Sequence, residues 1–525
     1  MSEHQTLTLG RTDLAQLDAA ALPRITIVVP VYGDLPSLLI CIKALRSVTD
    51  PQRHDVLLVN DCGPDADEIE TAVLAAVDGA IGFRYERNDR NLGFVGTCNR
   101  AVQELDTSDN DVLLLNSDTE PRAGFVEEMQ AVLYAHQKHG VVCARSNNAT
   151  IASLPYRLVG RSSVPSVQRT EAVFAALEGT LPRWTVSPVA MGFCFLTKRE
   201  LIRRFGLFDS VFAPGYGEEN DYCLRIDKAG FRSVIANRAL VIHEGSKSFV
   251  GERRDALRDA HQRLLEERYP FYGRATRAFM RFGIGAAERF ADALTPGSAV
   301  TTMGIDIRGL VRVAPDDERR GAVLTDIRAA VRTLLRAGVE VEVLADPADL
   351  VGLRLNPAQV TLATEVTTDA ILHVGVLLAG GPDTGMLATA NRRYAYWAAL
   401  SVADLDEADW ATRTSALGTR LAGEDLARHS VWRLKPEVEH GVRDAIESVP
   451  SQLESLLQSP LADRLAQLED RWRTYRTVDS APGSGATTDA QLRRLRAEIT
   501  SLQDSLSYRV GSLAVKSAKR LARRR

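Results

Sequence analysis

Short apolar runs, each closed by polar residues, punctuate the first half of the chain. ITIVV (25–29) ends at Pro30, VLLVND (56–61) ends in Asn60-Asp61, and VLLLNSD (112–118) closes in the same way. Runs of four or five Leu or β-branched residues without alternation are the pattern of strands buried on both faces of a parallel sheet. Between them, LPSLLICIKALRSV (35–48) and GTCNRAVQEL (96–105) carry helical spacing. The alternation predicts a doubly wound, mostly parallel α/β domain. Ligands of such domains sit at the C-terminal ends of the strands. Pro30, Asp61 and Asp118 are therefore the first residues to weigh.

The pattern fades near Arg253 into a helical stretch carrying Tyr269, Phe271, Tyr272, Phe279 and Phe282, then restarts. GIDIRGL (304–310) reads as a strand, DIRAAVRTLLRAG (326–338) as a helix with a Gly stop, and VEVEVLA (339–345) and AILHVGVLL (370–378) as further strands. This predicts a second, smaller, Rossmann-like α/β unit. The expected division is an N-terminal extension (1–23), the first α/β domain (24–275), a helical connection (276–300), the small unit (301–446), a helical segment (447–476), a Ser/Gly/Thr-rich linker (477–488) and a tail (489–525). In the tail Leu492, Leu495, Ile499, Leu502, Leu506, Val510 and Leu513 recur at spacings of three and four, a short heptad seam able to pair with a second copy or another helix.

A length of 525 residues suits two or three domains, and 45% hydrophobic with 25% charged residues suits a globular protein. The net charge of −4 and pI near 6.2 argue against a nucleic-acid binder. The six cysteines form no CxxC pair, so neither a disulfide framework nor a zinc site is expected. The first residues lack the pattern of a signal peptide, and no apolar run approaches the ~20 residues that span a bilayer. A cytoplasmic protein is expected, with a peripheral contact at the inner face of the cell membrane through its tail, where six of the last ten residues are basic.

The chemistry lies in four groups of residues: VPVYGD (29–34) with LLVNDCGPD (57–65); RNDRNLGFVGTCN (87–99); LLLNSDTEP (113–121); and MGFCFLTKREL (191–201) through GLFDSVFAPGYGEENDYCLRIDKAGF (206–231) to VIHEGSKSF (241–249). Singly each has an ordinary reading: Asp61 as a strand-end turn residue, Asn116-Ser117-Asp118 as a helix cap, Glu218-Glu219 as an acidic helix start, His243 as a structural histidine. Together and in this order they resemble the family 2 glycosyltransferases of the GT-A fold, in particular bacterial O-antigen and rhamnosyltransferase-like members, over about residues 24–250. The resemblance implies an inverting transfer of a sugar, rhamnose or a related hexose, from a UDP- or dTDP-linked donor to a glycan or lipid-linked acceptor, with Mg²⁺ or Mn²⁺ on the diphosphate. It implies that Pro30, Tyr32, Asp61, Asn91, Gly93, Asn116 and Asp118 bind the donor. Asp118, matching the last position of the family's DXD motif, and His243 would hold the metal. Gly192 and Glu218 would face sugar or acceptor, and Glu219, with Asp221 as the second candidate, would be the base. Here Asn116 stands at the motif's first position, and Glu219 stands where the family more often has Asp.

Two other readings compete. A non-catalytic scaffold of the same fold would keep the architecture without the carboxylates, yet all of them are present. A nucleotidyltransferase would show a Gly-rich phosphate loop after its first strand, and PVYGDLPS is a poor one. For the tail, the seam covers only about three heptads and is marginal alone, while each basic residue near an anionic surface adds roughly 1 kcal/mol. Deleting 489–525 is therefore expected to release the protein from anionic liposomes at low salt, measured by co-sedimentation, without loss of activity on a soluble acceptor.

Overall fold

The computed structural model describes residues 22–156, 164–245, 252–294, 302–308, 318–345, 347–363, 372–377, 396–401, 431–434, 441–456, 460–466 and 469. The expected linker (477–488), the heptad tail (489–525) and nearly all of the N-terminal extension lie outside these residues. The chain divides into two compact units near Ser298.

The first unit is built on a nine-stranded sheet: β1 (Ile25–Val31), β2 (His54–Asn60), β3 (Phe83–Arg87), β4 (Asp111–Leu115), β5 (Thr119–Pro121), β6 (His139–Arg145), β7 (Trp184–Ser187), β8 (Cys194–Thr197) and β9 (Arg232–His243). The order is β3-β2-β1-β4-β8-β6-β9-β5, with β7 also on β9. The first four strands run parallel, as does β6 with β9; β8, β5 and β7 join antiparallel. Ile25, Ile27, Val28, Val29 and Leu113 are fully buried, which is why their runs show no alternation. Helix α1 (Leu35–Val48) starts where the Asp34 side chain accepts from Ser37 N at 3.5 Å and Pro36 occupies the first turn. It buries Leu38, Cys41, Ile42 and Leu45, one stripe at helical spacing. The other helices of this unit are α2 (Ala66–Val77), α3 (Gly93–Arg100), α4 (Phe125–Tyr134), α5 (Val167–Leu177), α6 (Arg199–Phe205), α7 (Glu218–Asp227), α8 (Glu252–Arg268), α9 (Tyr272–Ala278), α10 (Ala286–Arg289) and α11 (Ala291–Leu294). All six cysteines are free, and five are buried in this unit.

Strand β9 matters most for the site. Its pairing with β6 slips between Ala144–Ala236 and Arg145–Leu240, a bulge at Asn237. The Asn237 amide fills it: Nδ2 donates to Pro182 O at 2.7 Å and Thr185 Oγ1 at 2.9 Å, and Oδ1 accepts from Arg145 Nε at 2.8 Å. Beyond the bulge β9 runs on to pair with β5, setting His243 opposite Thr119. Arg145, fully buried, also pairs with Glu288, whose other oxygen accepts from Gly285 N at 2.9 Å. The segment expected as a connection after residue 275 is in this way fastened to the first unit by α10.

The second unit carries a six-stranded, wholly parallel sheet: β10 (Thr302–Asp306), β11 (Glu340–Leu344), β12 (Thr361–Ala363), β13 (Leu372–Leu377), β14 (Tyr396–Ser401) and β15 (Val431–Leu434). The order β12-β11-β10-β13-β14-β15 is that of a Rossmann sheet. Helices α12 (Glu318–Arg336), α13 (Pro347–Leu353) and α14 (Gly441–Leu456) accompany it.

Truncating Glu288 would strand the buried Arg145 guanidinium. Glu288→Ala is expected to lower unfolding free energy by about 3–5 kcal/mol in denaturant titration. Breaking the exposed Arg203–Asp109 pair should leave stability unchanged.

Candidate active site

A cleft of about 760 Å³ opens at the C-terminal ends of β1, β2 and β4. Pro30, Tyr32, Asp61, Asn91, Gly93, Asn116, Asp118, Gly192, Glu218, Glu219 and His243 all line it.

At one end Asp61 follows β2, 4% exposed, its N–H donating to Val31 O at 2.7 Å. Its Oδ1 accepts three hydrogen bonds, from Thr97 Oγ1 (2.6 Å), Leu92 N (2.7 Å) and Asn88 Nδ2 (2.9 Å). One oxygen is thus locked, and the other can accept a hydrogen bond from a ligand. The RNLGF segment forms the shell that orients Asp61. Asn91 turns its own amide oxygen to Gly93 N at 2.9 Å, making the loop's bend. Gly93 has φ of 72°, and a Cβ there would lie 2.9 Å from Pro214 Cβ, so backbone conformation and close approach both demand glycine. Gly63 is as constrained: a Cβ would collide with the Tyr32 carbonyl at 1.8 Å.

Asp118 and His243 meet because β5 and β9 pair. Asp118 Oδ1 stands 3.4 Å from His243 Nε2, and Glu244 N donates to Asp118 O at 3.1 Å. His243 is oriented twice: Nδ1 lies 2.9 Å from Asn148 O, and its ring stacks on Phe193 at 5.2 Å. A carbonyl only accepts, so Nδ1 carries a proton and Nε2 of the neutral ring is a bare lone pair facing a carboxylate. Two acceptors so placed call for a proton or a cation between them. Burial opposes protonation of His243, but Asp118 and the Asn148 carbonyl outweigh it and hold its pKa above the usual histidine value. Burial opposes ionisation of Asp118 in turn, and His243 holds its pKa below the usual carboxylate value. Among the described residues no group of three or more His, Cys, Asp or Glu is arranged to hold a metal. A cation here would take two protein ligands and complete its shell from phosphate and water, as Mg²⁺ and Mn²⁺ commonly do.

The third corner is the start of α7, entered through Gly217 at φ 95°. Glu218 is 6% exposed and its Oε2 is buried without a partner. Burial, then the charge of Glu219, pushes its pKa well above the ordinary carboxylate value. Glu219 is more open. Burial raises its pKa as well, opposed by the amides that begin α7. Gly192 makes room for it, since a Cβ there would lie 3.3 Å from Glu219 Cγ. Asp221 does not join them. It is 1% exposed, Oδ1 accepting from Arg268 (2.9 Å) and Tyr269 (3.0 Å) and Oδ2 pairing with Arg225 at 3.0 Å. With both oxygens engaged away from the cleft it is a structural anchor for α8, which corrects its place as second candidate base.

Four lining residues lay beyond the sequence reading: Arg258, His261 and Gln262 of α8 and Thr276 of α9; Tyr272 also lines the cleft, as does the cis-Pro214 loop with Tyr216 at φ 77°, which lies within the fourth group of residues. The polar helix pattern after residue 252 held no hint that one face closes a cleft.

A mixed, mostly parallel sheet, with strand ends that gather Asp61, the Asp118–His243 pair and a buried acidic corner in one cleft, has the architecture of the GT-A fold. Residues 26–206 match the family model described as Glycosyl transferase family 2. The domain that holds them belongs to that family, and the protein is a glycosyltransferase. No curated protein matches the chain. Among solved structures it is similar to the mannosyltransferase PcManGT from Pyrobaculum calidifontis in complex with GDP-Man and Mn²⁺, at 18% identity over 52% of this chain and 73% of that one, TM-score 0.36. It is also similar to GalNAc-T7 with UDP, GalNAc and Mn²⁺, at 13% identity over 49% of this chain and 55% of that one, TM-score 0.35.

Gly192→Ala tests the packing of the acidic corner. The variant is expected to fold and to bind donor as before. The displaced Glu219 should lower kcat at least about tenfold, since small misplacements at a reacting centre are expensive.

Proposed function

We propose that the cleft transfers a hexose, rhamnose or a close relative, from a UDP- or dTDP-linked donor to a hydroxyl of a glycan or lipid-linked acceptor, by single displacement with inversion, in the building of a bacterial surface polysaccharide. The observation that carries this reading is the division of labour among the cleft's carboxylates: Asp61 half-locked, Asp118 against His243, Glu218 buried and Glu219 more open. Asp61 presents one oxygen to an N–H of the base, and Tyr32 flanks it. Asp118 and His243 would hold a divalent cation, whose contribution when bound is to offset the charge gathering on the leaving diphosphate. Glu219 receives the proton of the attacking hydroxyl as the bond to the anomeric carbon forms and the bond to the diphosphate breaks. No described helix is long and apolar enough to cross a membrane. Contact with a lipid-linked acceptor would therefore fall to the surface and to the basic tail.

Donor binding is read by thermal shift with UDP-, dTDP- and GDP-sugars, with and without Mn²⁺. Asp118→Ala is expected to abolish the Mn²⁺-dependent part of the shift. Glu219→Gln should keep it and lose turnover by about 10²-fold or more. Because Glu219 acts ionised and its pKa is raised, turnover should be present at higher pH and fall on acidification at a pH above the ordinary carboxylate value of about 4.3. Full turnover in EDTA would sink the metal assignment.

A further inference from the structure

One wall of the cleft is made by a helix that none of the motifs above includes. Along α8 and into α9, three side chains a turn or more apart close on the loop that delivers the acidic corner. His261 lies on Gly215 and Tyr216, Leu265 lies on Gly217, where a Cβ would meet its Cδ1 at 3.1 Å, and Tyr272 lies near enough to Glu219 for that charge to act on its hydroxyl. Of the three, His261 carries a functional group the protein itself does not use. It is 8% exposed and lines the cleft. Its Nδ1 stands 3.0 Å from Gly215 O and 2.8 Å from Tyr216 O. Two carbonyls on Nδ1 leave no choice of tautomer: Nδ1 is protonated and donates to both. Nε2 of the neutral ring is then an acceptor, and it has no hydrogen-bond partner among the described residues. The ring is held rigidly, edge-on to Phe212 at 5.4 Å. A fixed acceptor in a sugar-sized cleft suits an O–H donor.

We propose that His261 is an acceptor-binding residue: its Nε2 accepts a hydrogen bond from a hydroxyl of the incoming acceptor, and so presents the neighbouring hydroxyl to Glu219. The attacking hydroxyl has a single proton, which goes to Glu219, so the hydrogen bond to His261 comes from a second hydroxyl. The acceptor class that fits is a sugar or other polyol with two hydroxyls close together. This rests on the glycosyl-transfer reading and on Glu219 as its base. Water can stand in for the acceptor, because its two protons can serve both groups, and donor hydrolysis therefore tests the idea with no acceptor identified.

The experiment compares His261→Asn and His261→Gln in hydrolysis of nucleotide sugars with Mn²⁺, alongside melting temperature and donor KM. Asn places an N–H where Nδ1 stands and removes Nε2; Gln reaches the position of Nε2 and gives up the bonds to the loop. The expected result is that His261→Asn keeps its melting temperature and donor KM but loses about tenfold in kcat, the worth of one hydrogen bond made in the transition state. His261→Gln should retain more of kcat while melting lower. If His261→Asn turns over like the wild type and His261→Gln is the impaired variant, His261 is only a buttress of the loop and the proposal is overturned. Loss of donor affinity in both would overturn it equally. A wild-type protein that neither binds nor hydrolyses any nucleotide sugar would instead sink the transfer reading on which this rests.

Discussion

The site depends on one strand that pairs in turn with three different partners. β9 starts beside β6 and β7, slips at Asn237, and finishes against β5. Without the slip its end would continue along β6, and His243 would not meet Asp118. The slip leaves a buried backbone irregularity whose polar groups must be satisfied. The Asn237 N–H donates to Arg183 O, and the Asn237 side-chain amide holds Arg145, which holds Glu288. A chain of buried polar contacts thus ties the bulge of β9 to α10, a helix that follows the domain's last strand. Such a network is stable only when complete, since each partner removed leaves the next one buried and unpaired.

The cleft also shows how one residue type is put to different uses by what surrounds it. Asp61 has three donors on a single oxygen and offers the other. Asp118 faces Nε2 of His243, which holds its pKa below the usual carboxylate value against the effect of burial. Glu218, buried with an unpartnered oxygen, has its pKa pushed well up beside the more open Glu219. Asp221, three residues on, is consumed by two arginines and a tyrosine. Separating two neighbouring carboxylates into a neutral and an ionised form is a general way to obtain a base at neutral pH. Here burial raises both pKa values at the first turn of α7, the charge of Glu219 raises that of Glu218 further, and the backbone amides oppose the rise on Glu219.

Local pattern determined much of this protein. Continuous apolar runs reveal β1, β2 and β4 because strands covered on both faces leave no polar positions, and α1 is legible from a single stripe and its cap. The strand-end positions of Pro30, Asp61 and Asp118 follow from the same runs, and the order of the motifs carries the family. The tertiary structure alone decided the rest. β5, β7 and β8 are three or four residues long, too short for a period to register, and they exist because β9 and β4 supply partners. Glu219 and Asp221 are both acids in the first turn of one helix, but a helix turns by about 100° per residue, so two positions on they face opposite environments, cleft and core. His261 was invisible because nothing near it in the chain is unusual. Its role depends on the carbonyls of Gly215 and Tyr216, brought to it only when α8 packs on the loop.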